Sequence, residues 1–372
     1  MRTITLLASD LNSNSLQRVY TFATLLQHEF RVQVVGHTAS GDVWAPLRDE
    51  GVEYHRVTFP SALTPRTLSR RTLKRLIAGS LIIAHKAVNA SFGLALRARR
   101  KLGVPVLVDI EESELGLLGE SAYWEFRNAP RDWLLGVNSP LYTRLLDRRI
   151  RSADAITVTN SVLQQRYGGT LIPHARDESV FYPAPMRQGS RVMFLGSIRP
   201  HKGLGVLLDA WPRVAAPGAS LHIVGTPLEE PGVASLRARA PSTVHFEGHV
   251  PHQRVPEILR TASMFVIPQL AGAASEGQLP TKLVEAMATG LPVVASAVGD
   301  IPHWLRDDAG VVVPPGDAVA LGKAIQSLLI NAERARLVGE KARKRFLDEA
   351  SFAAIRPRLS RLVNQVMSEA KP

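Results

Sequence analysis

The sequence of 372 residues predicts an α/β protein made of two Rossmann-like, doubly wound domains. Three observations predict it. The length exceeds what one hydrophobic core usually supports, so two domains of roughly 150 to 200 residues are expected. Each half alternates short apolar runs with longer amphipathic ones, the pattern of a parallel sheet covered on both faces. Between the halves, Asp177 to Ser190 carries Pro183, Pro185 and Gly189 and reads as a linker.

In the first half the expected strands are Thr3 to Ala8, Val32 to Gly36, Leu81 to Ala84, Val104 to Asp109, Ala155 to Thr159 and Thr170 to Pro173. Helical periods fill the gaps, as in Leu16 to His28. The start is basic, but it meets Ser9-Asp10 before any signal-peptide core develops, so it reads as a buried first strand. In the second half the strands are Arg191 to Gly196, Ser220 to Gly225, Val244 to Gly248, Met264 to Pro268, Pro292 to Ser296 and Gly310 to Val313. In such sheets ligands bind beyond the carboxyl ends of the strands, so chemistry is to be sought in the loops that follow them.

Composition narrows the classes further. Hydrophobic residues make up 45% and charged residues 21%, as in soluble globular proteins. The longest uncharged candidate, Leu76 to Ala84, is far short of the roughly 20 residues that cross a bilayer. With 0 cysteines the chain carries no disulfide framework, thiolate metal site or thiol nucleophile, and a reducing cytoplasm is expected.

The formal net charge is +12, and much of it is concentrated. No Asp or Glu occurs between Tyr54 and Val108, while Arg66, Arg70, Arg71, Lys74 and Arg75 fall in one short stretch. Within Thr67 to Gly79, Leu68, Leu73, Leu76 and Ile77 approximate helical spacing and leave the basic residues to the other face. That pattern suits an interfacial helix on an anionic membrane; a solvated basic face is the alternative.

Familiar nucleotide signatures are missing: no G-x-G-x-x-G follows the first strand, and no G-x-x-x-x-G-K-[ST] occurs. Hydride transfer and P-loop hydrolysis lose support accordingly. After the first strand of the second half comes Gly196-Ser197-Ile198-Arg199-Pro200-His201-Lys202-Gly203. Its cations at a strand-to-helix turn stand where a diphosphate can approach. A second loop, Glu276-Gly277-Gln278-Leu279-Pro280, enters a helix at Thr281-Lys282-Leu283, whose first amides suit a phosphate. Glu285 follows about one turn inside and is able to accept hydrogen bonds from a ribose diol, as carboxylates do in other nucleotide sites.

These residues resemble the GT-B glycosyltransferases, and among them the retaining family 4 type. The family's Lys-Gly after the first strand of the second domain matches Lys202-Gly203, and its Glu-Ala-Met-Ala-x-Gly-x-Pro-Val-Val matches Glu285 to Val294 without gaps. Ile172-Pro173-His174-Ala175-Arg176-Asp177 resembles the segment leading into the family's interdomain linker. Three departures stand out. Ser197 occupies the place of the family's arginine, which leaves Arg199 to compensate; the first glutamate of the family's pair would fall at Gly277, with Glu276 one position earlier; and His174 replaces the common asparagine, as a packing histidine.

The resemblance implies an acceptor domain over residues 1–183, a nucleotide-sugar domain over 184–350, and a helical segment, 351–372, packing back on the first, with the two domains facing a central cleft. It implies sugar transfer with retention from a UDP- or GDP-linked donor to a glycan or lipid-linked acceptor; the basic stretch, unless it is only a solvated face, would bring the cytoplasmic protein to that acceptor at the inner face of the plasma membrane. The acceptor hydroxyl attacks on the face the diphosphate leaves, and a departing phosphate oxygen takes its proton. The protein then supplies charge stabilisation and orientation. Lys202, Arg199 and Glu285 would carry the chemistry. Donor contacts are expected at Gly196, Ser197, Lys202, Gly203, Val250, Glu276, Thr281, Lys282, Leu283 and Glu285. Asn14, Ser15, Asp109, Glu111 and His174 are the acceptor-side candidates, with Asn14 or Ser15 alternatively capping the helix from Leu16. No cofactor, metal or nucleic acid is expected, since the cations meet the diphosphate charge and no Asp-x-Asp is present. A nucleotide-sugar epimerase and a non-catalytic sugar-nucleotide binder are the competing readings.

Overall fold

The computed structural model describes residues 1–38, 41–59, 67–116, 136, 139–184, 189–225 and 231–369, so Arg66 lies outside the described residues. They form two compact units, Met1–Pro173 with the chain from Ile355 onward, and His174–Ala354.

The first unit holds a parallel sheet of β1 (Thr3–Ala8), β2 (Arg31–His37), β3 (Tyr54–Val57), β4 (Leu81–His85), β5 (Val106–Ile110), β6 (Ala155–Val158) and β7 (Thr170–Leu171), in the order β3-β2-β1-β4-β5-β6-β7. Between them run α1 (Leu16–Leu26), α2 (Arg70–Leu76), α3 (Leu94–Leu102), α4 (Pro140–Asp147) and α5 (Ser161–Tyr167). β4 and β5 are buried along their whole length, as continuous apolar runs in a doubly covered sheet should be. The edge strand β3 was not expected, because Tyr54-His55-Arg56-Val57 exposes its central residues and lacks an apolar run. β5 starts after Pro105, which has no N–H for the ladder, and not at Val104.

α2 departs from the interfacial-helix reading. It is shorter than Thr67 to Gly79, begins where Ser69 Oγ accepts from Thr72 N at 3.1 Å, and sends Leu73 and Ile77 into the core. Arg70, Arg71, Lys74 and Arg75 are exposed, but no apolar face is left over to enter a membrane.

The second unit holds β8 (Ser190–Leu195), β9 (Ala219–Val224), β10 (Val244–Gly248), β11 (Met264–Ile267), β12 (Val293–Ser296) and β13 (Val311–Val313), parallel and in the order β10-β9-β8-β11-β12-β13. Its helices are α6 (Leu204–Ala210), α7 (Pro231–Ala238), α8 (Val255–Arg260), α9 (Ala273–Glu276), α10 (Thr281–Ala288), α11 (Ile301–Trp304), α12 (Ala318–Leu329) and α13 (Ala332–Glu349). Leu283 and Met287 of α10 pack with Phe265, Val293 and Phe346 on one face of the sheet. Leu204, Leu207, Val192 and Ile325 fill the other. A last helix, α14 (Phe352–Glu369), leaves this unit after its first residues; from Ile355 it belongs to the first unit, where Arg358 Nη2 donates to Leu171 O at 2.7 Å.

The chain enters the second unit at His174 and not at residue 184. Arg176 N donates to Ala350 O at 3.1 Å, and Phe181 joins the second core, so the chain is anchored there just before the expected linker and within its first residues.

Both strand orders reverse at one point, between β1 and β4 in the first sheet and between β8 and β11 in the second. Ligand crevices form outside the carboxyl ends of strands at such reversals. The loops after β1 and β4, and after β8 and β11, are therefore where each unit's site belongs.

Candidate active site

In the second unit the loop after β8 reaches a tight turn, Pro200–Lys202, closed by Gly203 with φ +71°. A Cβ at Gly203 would stand 1.8 Å from Pro268 O, so only glycine lets this turn lie against the end of β11. Leu270 N donates to His201 O at 2.8 Å and fastens the two loops together. Lys202 is thereby fixed over the approach to α10, where its Nζ donates to Gln278 Oε1 at 2.6 Å. Leu283 N donates to Pro280 O at 2.9 Å, and the Thr281 and Lys282 amides precede it as the first two of that turn.

Glu285 lies one turn further in, 0% exposed. Its Oε1 accepts from Arg176 Nε at 2.9 Å and Nη2 at 2.7 Å, and its Oε2 accepts from Lys282 Nζ at 2.7 Å. Burial alone would raise its pKa, but the Lys282 and Arg176 cations hold it down to about 2. Burial pushes nearby His252 down to about 4 despite the pull of Glu285, so its imidazole is neutral. The remaining donor-side candidates are more peripheral. Ser197 and Arg199 are exposed, Gly196 follows β8 with φ +155°, Val250 packs against the core, and Thr281 is half-buried. Glu276 is exposed at the end of α9.

In the first unit the acidic segment after β5 divides into two groups. Asp109 is 1% exposed and accepts four hydrogen bonds: Arg18 Nε and Nη2, each at 2.8 Å, His85 at 2.9 Å and Thr157 Oγ1 at 2.7 Å. A carboxylate has about four lone-pair sites, so none remains for an acceptor hydroxyl. Asp109, expected among the acceptor contacts, has its carboxylate engaged within the unit by Arg18, His85 and Thr157. Burial opposes its ionisation, but Arg18 and His85 hold it below the usual carboxylate range.

His85 carries this order outward. Its Nδ1 meets Asp109, and its Nε2 lies 3.1 Å from Glu111 Oε2, whose side chain is 19% exposed. Burial disfavours a charged His85, yet its bonds to both carboxylates raise its pKa. Lys86, in a left-handed conformation with φ +65°, sits between Glu112 at 2.5 Å and Glu114 at 3.0 Å. Of the acidic residues singled out, Glu111 combines partial exposure with the His85 imidazole 3.1 Å away. Asn14 is exposed; Ser15 Oγ bonds Ser13 Oγ at 2.8 Å and makes no side-chain cap on α1. His174 is buried.

Two family models match this chain, "Glycosyl transferase 4-like domain" over residues 17–180 and "Glycosyl transferases group 1" over residues 189–331. A phosphatidyl-myo-inositol mannosyltransferase of Mycobacterium leprae is 30% identical over 290 residues, covering 74% of this chain and 72% of that protein. The chain belongs to the GT-B glycosyltransferases.

Solved structures bear out the glycosyltransferase's fold. Sucrose-phosphate synthase from Thermosynechococcus elongatus superposes with a TM-score of 0.74 at 20% identity, covering 99% of this chain and 100% of the other. Anabaena HepE in complex with UDP-glucose gives a TM-score of 0.76 at 14% identity, with coverages of 98% and 100%. Sequence reading of this glycosyltransferase missed Arg18, His85, Arg176, His252 and Gln278. Arg18 left a signal, a charged residue on the buried face of α1 one turn before Phe22. Gln278 left none.

Proposed function

We propose that this glycosyltransferase takes its sugar from a nucleoside-diphosphate donor held by the second unit, with UDP or GDP as carrier. The observation that carries the reading is the pair of lysine ammoniums at the first turn of α10, Lys202 on Gln278 and Lys282 on Glu285, with that buried carboxylate one turn inside. Diphosphate oxygens would meet the amines and the Thr281 and Lys282 amides, and the ribose hydroxyls would meet Glu285. Arg199, exposed beside the same turn, is free to reach a bound anion.

Transfer with retention follows from front-face attack, the departing phosphate oxygen taking the acceptor proton. Lys202 and Lys282 would stabilise the charge that grows on the leaving diphosphate, which is where preorganised cations lower a barrier most. These cations suffice without a metal. Glu111, oriented by His85, is proposed to hold the acceptor hydroxyl. The acceptor would be a glycan or glycolipid, since a relative acts, by its name, on phosphatidyl-myo-inositol. No helix among the described residues is long and apolar enough to cross a membrane, so contact with lipid would be peripheral, through α2.

A thermal-shift screen of UDP-, GDP-, ADP- and TDP-linked sugars, with and without EDTA, tests this reading. A ligand at a hundred times its dissociation constant stabilises the fold by about 2.7 kcal/mol. One donor class should stabilise the protein and support transfer, with EDTA making no difference. Absence of a shift with every donor, or a shift that needs a divalent cation, would overturn the corresponding part of the reading.

A further inference from the structure

We infer that Lys282 is an exchanging counter-ion, which neutralises Glu285 in the empty site and moves to the donor diphosphate when ribose hydroxyls replace it. The inference rests on the donor reading above and begins with a count of lone pairs. A carboxylate offers about four acceptor sites. Arg176 fills two on Oε1 and Lys282 fills one on Oε2, so Glu285 has one left. A ribose presents two adjacent hydroxyls. Both bind Glu285 only if one of the present donors leaves.

Arg176 is the wrong group to leave. Its side chain is 7% exposed, its Nη1 also donates to Ala175 O at 2.8 Å, and its backbone is pinned on both sides, N to Ala350 O at 3.1 Å and O to Phe352 N at 3.0 Å. Lys282 differs on each count. It stands at the second residue of α10, its side chain is 27% exposed, and a four-carbon stem carries a single bond to Glu285.

Charge favours the same exchange. Arg176, Lys202 and Lys282 against Glu285 leave three positive charges less one negative, a surplus of two, while His252 stays neutral. The diphosphate of a nucleotide sugar carries about two negative charges near neutral pH, so this positive surplus, to which exposed Arg199 adds, favours its binding. The exchange also supplies a second ammonium in a turn where Ser197 has no cation to offer.

The test compares UDP and GDP with uridine and guanosine, by calorimetry and ligand-observed NMR, on wild type and Lys282→Met. Circular dichroism melting confirms that the variant folds. The exchange predicts that Lys282→Met binds the cognate diphosphate about tenfold or more weakly, yet binds the bare nucleoside as well as or better than wild type, because the Glu285 acceptor has been freed. Equal losses for diphosphate and nucleoside would overturn the exchange and make Lys282 a fixed support for Glu285. An unchanged diphosphate affinity in Lys282→Met would overturn it as well, and leave the donor reading standing provided Lys202→Ala weakens the same ligand. Failure of wild type to bind either diphosphate would overturn the donor reading and the exchange with it.

Discussion

Arg176 binds Glu285 through two nitrogens on a single carboxylate oxygen, at 2.9 and 2.7 Å, in a pair whose side chains are 7% and 0% exposed. The pair ties the entry of the chain into the second unit to the helix that bears the proposed donor contacts. Removing one partner of a buried pair leaves an uncompensated charge and typically costs about 3–5 kcal/mol. Arg176→Met should therefore lower the urea midpoint of the second unit markedly, whereas Arg199→Ala, at an exposed position, should leave it within error.

The same pair sets an acid limit to stability. The Glu285 pKa is lowered from 4.5 to about 2, so its contribution is fully present above pH 4.5 and is lost as pH falls through 2. Asp109 is shifted in the same direction and adds to the loss. Denaturant midpoints measured from pH 6 down to 2.5 should fall more steeply for wild type than for Glu285→Gln, which has no carboxylate to protonate. Parallel slopes would mean that Glu285 is not held ionised by its neighbours.

Asp109 and Glu111 should part company on substitution. Asp109→Asn cannot accept all four bonds from Arg18, His85 and Thr157, and it should destabilise the first unit by on the order of 2–4 kcal/mol. Glu111→Gln should leave the melting temperature nearly unchanged while cutting kcat. The check is a thermal melt beside steady-state kinetics. A stable but inactive Asp109→Asn would return Asp109 to the acceptor contacts.

The sheet and its site loops were legible in the sequence because buried parallel strands write themselves as apolar runs. β1, β8 and β12 each match a run that alternates with amphipathic segments, and the glycines and cations after β8 mark the loop at the strand-order reversal. β3 was illegible because an exposed edge strand needs no apolar run. The site partners were harder for another reason. Asp109 and Glu111 looked like equivalent acids, and only the fold brings Arg18, His85 and Thr157 onto Asp109 from three other elements. Lys282 was read through its backbone amide, because the side-chain bond to Glu285 three residues on is a property of helical geometry that competes with many other partners.

The proposed membrane contact through α2 would be electrostatic alone, because the apolar side of that helix is buried. Each Lys or Arg near an anionic surface contributes about 1 kcal/mol, screened over roughly 8 Å at physiological ionic strength. Co-sedimentation with anionic vesicles should be appreciable at low salt and vanish near 0.5 M on that scale, without the salt-resistant fraction that inserted side chains give. Changing Arg70, Arg71, Lys74 and Arg75 to Ser should abolish it. Vesicle binding that survives high salt would point to an apolar anchor elsewhere in the chain.

The central claim is that Lys202 meets the diphosphate of the donor. Calorimetric titration of UDP and GDP into wild type and Lys202→Ala tests it most directly. A charge-assisted bond lost at a half-buried site costs about 1.5–3 kcal/mol, or roughly tenfold to over a hundredfold in affinity. The account predicts that one of the two nucleotides binds wild type and that Lys202→Ala weakens it by that factor. Equal affinities for the two proteins would contradict it.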